Sequence, residues 1–510
     1  MLFNSFAFIL EFLPLALALF FLLGRLNQSW AAAWLAVASI AFYGYWSPKY
    51  IVLLLGSVAC NFLCGRAISK RAGSRAGRWL FIFAVAANLL LLAFFKYADF
   101  FATSVNDLTK THLPLLHIIL PIGISFFTFT QIAFLADANK GIVKEYRFVH
   151  YLLFVSYFPH LIAGPILHHA EMMPQFESAA PYRFSARHFG VGLTIFTIGL
   201  AKKVLIADPF GDMVSPIFAA AHSGVPVRLL AAWVGVLAFT CQLYFDFSGY
   251  SDMAIGISKL FGIDLPINFA SPYKSTSIIQ FWQRWHMTLS RFLREYLYFP
   301  LGGNRRGKLR RYLNLITTMV LGGLWHGSNY TFIIWGGLHG CYLMINHAWR
   351  SMFGQRRHSS YLGTLFSGAV TFLAVAVAWI FFRAEDVSSA FNLLRGIAGF
   401  NGIAVHEGAS IFWRGVERLL PQDAVFPEGV FQHLQLDLSP VQLAARFFSA
   451  AVLLFSMPNT LQIAERIEKA CVTPRPSRAY QYVIPGVAGL LLVVALSQMQ
   501  KVSAFLYFQF

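Results

Sequence analysis

A chain of 510 residues that is 57% hydrophobic and only 12% charged is not a soluble domain, because soluble domains carry roughly a quarter of their residues as Asp, Glu, Lys and Arg. The net charge of +18 sits in short basic clusters between apolar segments, as loop topology and contact with an anionic lipid bilayer produce, and no water-soluble basic domain is present to bind nucleic acid. The composition is that of an all-α, polytopic integral membrane protein.

Taken in order, the first apolar run (6–23) has no basic region ahead of it and is interrupted by Glu11, so it reads as a retained helix and not a cleaved signal. Further apolar segments fall at 30–46, 50–64, 78–95, 113–136, 148–164, 189–206, 227–247, 312–325, 330–347, 361–382, 442–457 and 480–498. With shorter elements between them, they predict about 11–14 transmembrane or re-entrant helices. The clusters Arg66/Lys70/Arg71/Arg75/Arg78, Lys140/Lys144/Arg147, Lys202/Lys203, Arg305–Arg311, Arg350/Arg356/Arg357 and Arg466/Lys469/Arg475/Arg478 belong on the cytoplasmic side. Counting crossings between them puts both termini outside, provided 250–300 returns the chain inward once. No repeat or low-complexity linker divides the chain, so residues 1–510 form one domain. Residues 383–441 make a long mixed segment, placed outside by the same count, in which Phe412, Trp413 and Leu419/Leu420 suit a membrane surface or a partner. Five scattered cysteines (Cys60, Cys64, Cys241, Cys341, Cys471) complete no metal-ligand spacing and read as small core residues.

The chemistry concentrates in a catalytic window, 250–347. Gly322-Gly323-Leu324-Trp325-His326-Gly327 lies between apolar arms too short to span a bilayer comfortably, which predicts a helix interrupted at membrane depth at the glycines. Irregular backbone survives there only inside protein or beside a wet cavity, and an intramembrane histidine is a functional candidate. His326 is therefore the centre of the expected chemistry. His339 follows 13 residues later in Trp335–Gly340, and a straight helix would hold the two about 20 Å apart. Read as one helix, Thr276–Leu297 places Gln280, Gln283, Arg284, Arg291, Arg294 and Glu295 on one side. Ile279, Trp282, His286, Leu289, Leu293 and Leu297 fall on the other. The charged side fits lipid headgroups or a grip on phosphates, and His286 fits either a core histidine or a site residue. The next loop, Leu301–Arg311, holds Asn304 and five cations. It is a positive-inside stop or a site for a polyanionic donor such as an acyl-coenzyme A. Asp246 and Asp252 are costly in an apolar helix unless paired, so they form structural ion pairs or hydrogen-bond to His286. His160, beside Pro159, reads as a packing residue.

A neutral imidazole can take a proton from an attacking hydroxyl and return it to a leaving group, sheltered from hydrolysis where bulk water is excluded. No usable Gly-x-Ser-x-Gly elbow, Walker loop or dinucleotide fingerprint offers another chemistry.

Long strings of this sequence resemble the membrane-bound O-acyltransferases, in the branch of the bacterial alginate O-acetyltransferases. They are Leu120–Phe126, Phe158–Pro165, Gln242–Ala254, Phe281–His286, Gly322–Gly327, Ile334–Gly340 and Phe505–Phe510. The resemblance implies helices around a central tunnel, in a multi-pass protein of the bacterial inner membrane. It implies transfer of an acyl group, usually acetyl, from a cytosolic donor such as acetyl-CoA across the bilayer to a hydroxyl of an exported polymer. Alginate, cellulose and peptidoglycan all fit. The implied partners are an extracytoplasmic serine-hydrolase-like acyltransferase and polysaccharide-export machinery; no bound cofactor or metal is implied. By match of motif His326 is the catalytic histidine and His286 the second functional one. Trp325, Trp285, Asp246, Asp252, Asn304, Arg284 and His339 support them. Gln283 stands where relatives carry arginine. The aromatic C-terminus docks the partner in this picture, with Tyr507 a candidate acyl relay or simple anchor. The rival readings are a transporter or flippase, against which no inverted repeat is found, and the same chemistry with another cargo, such as D-alanyl transfer to teichoic acid or fatty-acyl transfer to a protein.

Overall fold

In the computed structural model the described residues are all except 47, 144–146, 355–359, 404–439, 473–482, 500–502, 504 and 507–510. The expectations for Lys144, Arg356, Arg357, Arg475, Arg478, Phe412, Trp413, Leu419, Leu420 and Tyr507 fall outside them. Among the described residues every regular element is helical. Six helices are long and apolar enough to cross a membrane. In chain order with their neighbours, these begin with α1 (Ala7–Leu26), α2 (Gln28–Trp46), α3 (Ile51–Lys70) and α4 (Arg75–Thr109). Short buried pieces follow: α5 (Ile124–Asn139), α6 (Phe148–Ser156), α7 (Phe158–Leu161) and α8 (His169–Glu177). Then come two long helices, α9 (Ala186–His222) and α10 (Leu229–Leu260). The outward sides of these helices carry Leu10, Val52, Leu63, Phe83 and Leu90, all exposed. Apolar residues on the outside are what a lipid-facing surface requires.

The bundle is drawn together by small residues rather than by hydrophobic contrast, as in membranes generally. On the facing sides of α9 and α10, a Cβ on Gly199 would meet Gly249 O at 2.6 Å, and one on Gly256 would meet Gly192 O at 2.7 Å.

Several sequence boundaries move. The run 113–136 is helical only from Ile124, because Pro121 and Gly123, at φ 73°, stop the helix short. The run 148–164 breaks into α6 and α7 at Tyr157–Pro159. The helix expected at 227–247 continues to Leu260, into the catalytic window 250–347. Lys202 and Lys203 are not loop residues. They lie in the middle of α9, opposite Asp252 and Asp246 of α10, and the carboxylates are what allow two lysines at that depth. Of the five cysteines Cys241 is buried, whereas Cys60 and Cys471 are exposed.

Beyond α10 the chain runs through α11 (Ile278–Trp282) and α12 (Met287–Leu293), then α13 (Gly307–His326) and α14 (Tyr330–Phe353). It ends through α15 (Tyr361–Arg383), α16 (Val387–Ile397), α17 (Pro440–Ala451), α18 (Thr460–Val472) and α19 (Ile484–Ser497). The interruption expected at Gly322-Gly323 is not there. α13 is continuous through both glycines and stops after His326, and its arms are longer than their apolar cores because they run into Lys308–Arg311 and out to Arg350. The glycines let α13 and α14 close into a hairpin: a Cβ on Gly323 would meet Phe332 O at 2.2 Å, and one on Gly336 would meet Met319 O at 2.3 Å.

Candidate active site

The tip of that hairpin presents His326. Its turn is pinned from both sides. Asn329 caps α14 by accepting from Thr331 N (3.0 Å) and donates to Glu385 O (2.7 Å). From α4, the Lys96 ammonium donates to Trp325 O (2.5 Å) and His326 O (3.0 Å), and the Tyr97 hydroxyl donates to Leu324 O (2.6 Å). Three carbonyls that a helix end leaves unsatisfied are thereby bound, and the cation meets the negative end of the helix dipole. The His326 ring is buried among Trp325 (5.0 Å between centroids), Trp335 (5.2 Å), Phe382 (5.2 Å) and His286 (6.3 Å).

His286 reaches this position because the expected helix 276–297 does not exist as one piece. It breaks at Gln283–His286, where His286 adopts φ 42°. The preceding extended strand of chain takes over the lost helical hydrogen bonds: Ala270 N donates to Arg284 O (3.0 Å) and Met287 N to Asn268 O (2.9 Å). The helix is broken, but the apolar side on which the wheel put His286 holds: the ring is fully buried, facing Phe247 at 4.8 Å. The Asn268 side chain then fixes its tautomer. Ile166 N donates to the Thr288 hydroxyl, which in turn donates to Asn268 Oδ1 (2.8 Å), as does Thr288 N. Asn268 Oδ1 is thus an acceptor, so His286 Nδ1, 3.1 Å away, is its donor. Nε2 keeps the lone pair.

His339 joins because the segment breaks at the first of the glycines between, Gly327, where the hairpin turns, and not at Gly336-Gly337. Its ring lies 4.9 Å from Trp335, which lies 5.2 Å from His326. Trp282 Nε1–H donates to His339 Nδ1 at 3.3 Å. Trp285 packs against Phe281 and Trp379 in the same aromatic wall. Arg284 sits half-buried in the broken turn. Asn304 is exposed on its loop and is not brought to the histidines; the buried asparagine there is Asn314, whose amide donates to Leu301 O and Gly303 O. Asp246 and Asp252 are not hydrogen-bonded to His286. Asp246 pairs with Lys203, which also meets Asp208, while Asp252 pairs with Lys202 and accepts from Thr460. In the described part of the C-terminal segment Phe505 and Leu506 are buried, and Leu506 N donates to Asp246 Oδ2 at 3.0 Å. His160 is the packing residue anticipated, bonded to Phe154 O at 3.0 Å.

Two cavities approach the histidine pair. The larger, about 600 Å³, is walled by Trp282, Met287, Thr288, Arg291, Arg294 and His347, so residues adjoining His286 form part of its lining. The smaller, about 140 Å³, has His326 itself in its wall with Lys96, Trp46, Ser125 and Phe126. A third, apolar space of about 650 Å³ lies between α4 and residues 292–297 and reaches Trp325. Among the described residues no three His, Cys, Asp or Glu side chains converge as metal ligands would. Lys96, Tyr97, Asn268 and Thr288 were missed from the sequence. Lys96 alone carried a signal, as a cation inside the apolar stretch of a 35-residue helix.

A buried imidazole pair, with His326 in the wall of one cavity and residues adjoining His286 in the wall of another, is placed to accept a proton from a group in those cavities. Residues 40–384 match the model of the MBOAT, membrane-bound O-acyltransferase family. A peptidoglycan O-acetyltransferase of Helicobacter pylori is 43% identical over 432 residues, covering 79% of this chain and 81% of that one. A probable alginate O-acetylase of Pseudomonas aeruginosa is 40% identical over 408 residues, covering 78% and 75%. A teichoic acid D-alanyltransferase of Streptococcus thermophilus is 30% identical over 236 residues, covering 45% and 57%. On this match and on its apolar helices, the chain belongs to the membrane-bound O-acyltransferase family and is a multi-pass membrane acyltransferase.

Proposed function

We propose that the enzyme takes an acetyl group from a cytosolic acyl-coenzyme A thioester and delivers it, across the inner membrane, for O-acetylation of an exported polysaccharide. The observation that carries this reading is the position of His326, in the wall of one cavity and 6.3 Å from a second imidazole whose neighbours wall another. The two most similar relatives described above are named for O-acetylation of peptidoglycan and alginate, which supports a glycan hydroxyl as acceptor.

In this reading the larger cavity receives the donor, with Arg291, Arg294 and His347 near its phosphates. As the hydroxyl oxygen attacks the thioester carbonyl carbon, His326 accepts the hydroxyl proton. The C–S bond then breaks, and the thiolate recovers that proton from the imidazolium. His286, with Nε2 basic and Nδ1 held by Asn268, orients the donor beside His326. The first recipient on the far side is the polymer itself or a serine-hydrolase-like partner that completes the transfer beside the export machinery. Lys96 is level with Trp325, and α4 and α13 rise about 32 and about 26 Å to that level from basic starts at Arg75 and Lys308. This supports a common cytoplasmic side for those ends and an outward-facing hairpin tip.

The test is thiol release by the purified full chain from acetyl-coenzyme A, with and without a glycan oligomer, and mass spectrometry of the oligomer. Acceptor-dependent thiol release with acetyl on the glycan is expected. An intact donor at the end of the incubation would point instead to a transporter.

A further inference from the structure

Lys96 differs from the other deeply set lysines. Lys202 and Lys203 each meet a carboxylate. Among the described residues Lys96 has no carboxylate within ion-pair distance, and its nearest acidic neighbour on α4, Asp99, binds Leu116 N and Ile118 N instead. An ammonium has three N–H donors. Two are taken by Trp325 O and His326 O. The same side chain lines the 140 Å³ cavity whose wall includes His326, Gly123 and Ser125. Holding a cation within the membrane region without a counter-charge is costly, and such a charge is of most use where negative charge appears during a reaction.

We propose that Lys96 is a catalytic residue of the acyl transfer, its ammonium facing the small cavity to bind the oxygen that becomes negative when the acyl carbonyl is attacked. The inference rests on the acyl-transfer reading above. When the hydroxyl oxygen bonds to the carbonyl carbon, the C=O π pair moves onto oxygen, and the remaining N–H of Lys96 donates to it. On collapse the pair returns, the C–S bond breaks and the ammonium is unchanged; no proton leaves it. The cavity's volume suits this role, being about five water molecules' worth. That is room for an acetyl group and the carbon bearing the attacking hydroxyl. The two carbonyl contacts hold the ammonium at a fixed place, so stabilisation needs no reorganisation as charge develops.

The experiment compares native full chain with Lys96→Gln and Lys96→Met, each first checked for monodispersity and thermal unfolding, then assayed for acetyl transfer. Glutamine keeps an N–H for the two carbonyls but removes the charge, whereas methionine keeps the stem alone. A folded variant should lose about 10²–10³-fold in kcat with KM for the donor within about threefold of native, the pattern of an interaction made in the transition state. A folded variant with kcat within about threefold of native overturns the proposal. So does failure of both variants to fold, which would make Lys96 a helix cap and nothing more. An inactive native chain would instead remove the acyl-transfer reading and this inference together, whereas an active native chain with an active glutamine variant removes the inference alone.

Discussion

Around Asp246 and Asp252 the buried charges are matched one against another. Lys203 lies between Asp246 and Asp208, Lys202 meets Asp252, and Leu506 N and Thr460 take further carboxylate oxygens. Around His326 and His286, about as buried, the polar groups are imidazoles and indoles, with Asn268, Thr288, Tyr97 and the Lys96 ammonium, and cavities lie beside them. The first cluster joins α9, α10, α18 and the C-terminal segment, carboxylate against ammonium. The second holds its groups in place through neighbours while keeping basic nitrogens for other work. Buried polarity in this bundle thus divides into polarity spent on the fold and polarity held for chemistry.

Substitutions on each side of that division should fail differently. His326→Ala should lower acetyl transfer by about 10²–10⁴-fold, the usual worth of a positioned acid–base group, with the thermal unfolding transition unmoved. Kinetics and calorimetry on one preparation would check it, and retention of native turnover would place the chemistry elsewhere. Asp246→Ala should do the reverse. It takes from buried Lys203 its closest carboxylate and frees Leu506 N, a loss of about 3–5 kcal/mol by the precedent of broken buried pairs. Whatever fraction remains folded should retain its turnover per molecule. If Asp246→Ala were stable and inactive, the two clusters would not be distinct.

The same division decides what could be read from the sequence. The apolar runs disclosed a membrane bundle because lipid exposure leaves its mark on every outward residue. The motif strings singled out His326, His286 and His339 because their chemistry is conspicuous in an apolar setting. Lys202/Lys203 and Asp246/Asp252 were visible too, but as separate anomalies. Recognising that two cations and two carboxylates on adjacent long helices cancel one another requires the packing. The break at Gln283–His286 was hidden for a different reason. No glycine or proline marks it, and the hydrogen bonds that replace the helical ones come from 268–270, a segment whose local sequence reads as a plain loop. The glycines at 322–323 misled in the opposite direction, since close helix contact and helix interruption both call for glycine.

Asn268 bridges the two kinds of polarity. Asn268→Ala strips the acceptor from His286 Nδ1, Thr288 N and the Thr288 hydroxyl. Each donor left buried costs about 1–3 kcal/mol, so a moderate drop in unfolding temperature is expected. Turnover should fall as well, because His286 is released to the other tautomer and the turn 283–286 loses its brace. Asn268→Asp, which retains the acceptor, should recover more activity than Asn268→Ser. Equal activity in all three would mean that His286's tautomer is immaterial.

The smallest effect is expected at the N-terminus of α16. Asp386 accepts from Ser389 N (2.7 Å), Ser389's hydroxyl returns to the Asp386 backbone, and the His222 imidazole lies 2.8 Å from the carboxylate. Asp386→Ala removes the cap and should cost about 1 kcal/mol without touching turnover. The Ser389 N–H, and after it the serine hydroxyl and His222, hold the Asp386 carboxyl below its ordinary pKa. A carboxylate depressed in the folded state stabilises above its unfolded pKa, and that contribution fades as pH falls through the folded value. The stability gap between native and Asp386→Ala should therefore be full near neutrality and narrow below the usual carboxylate range. A gap that persisted in acid would mean that the cap works through the backbone alone and that the charge adds nothing.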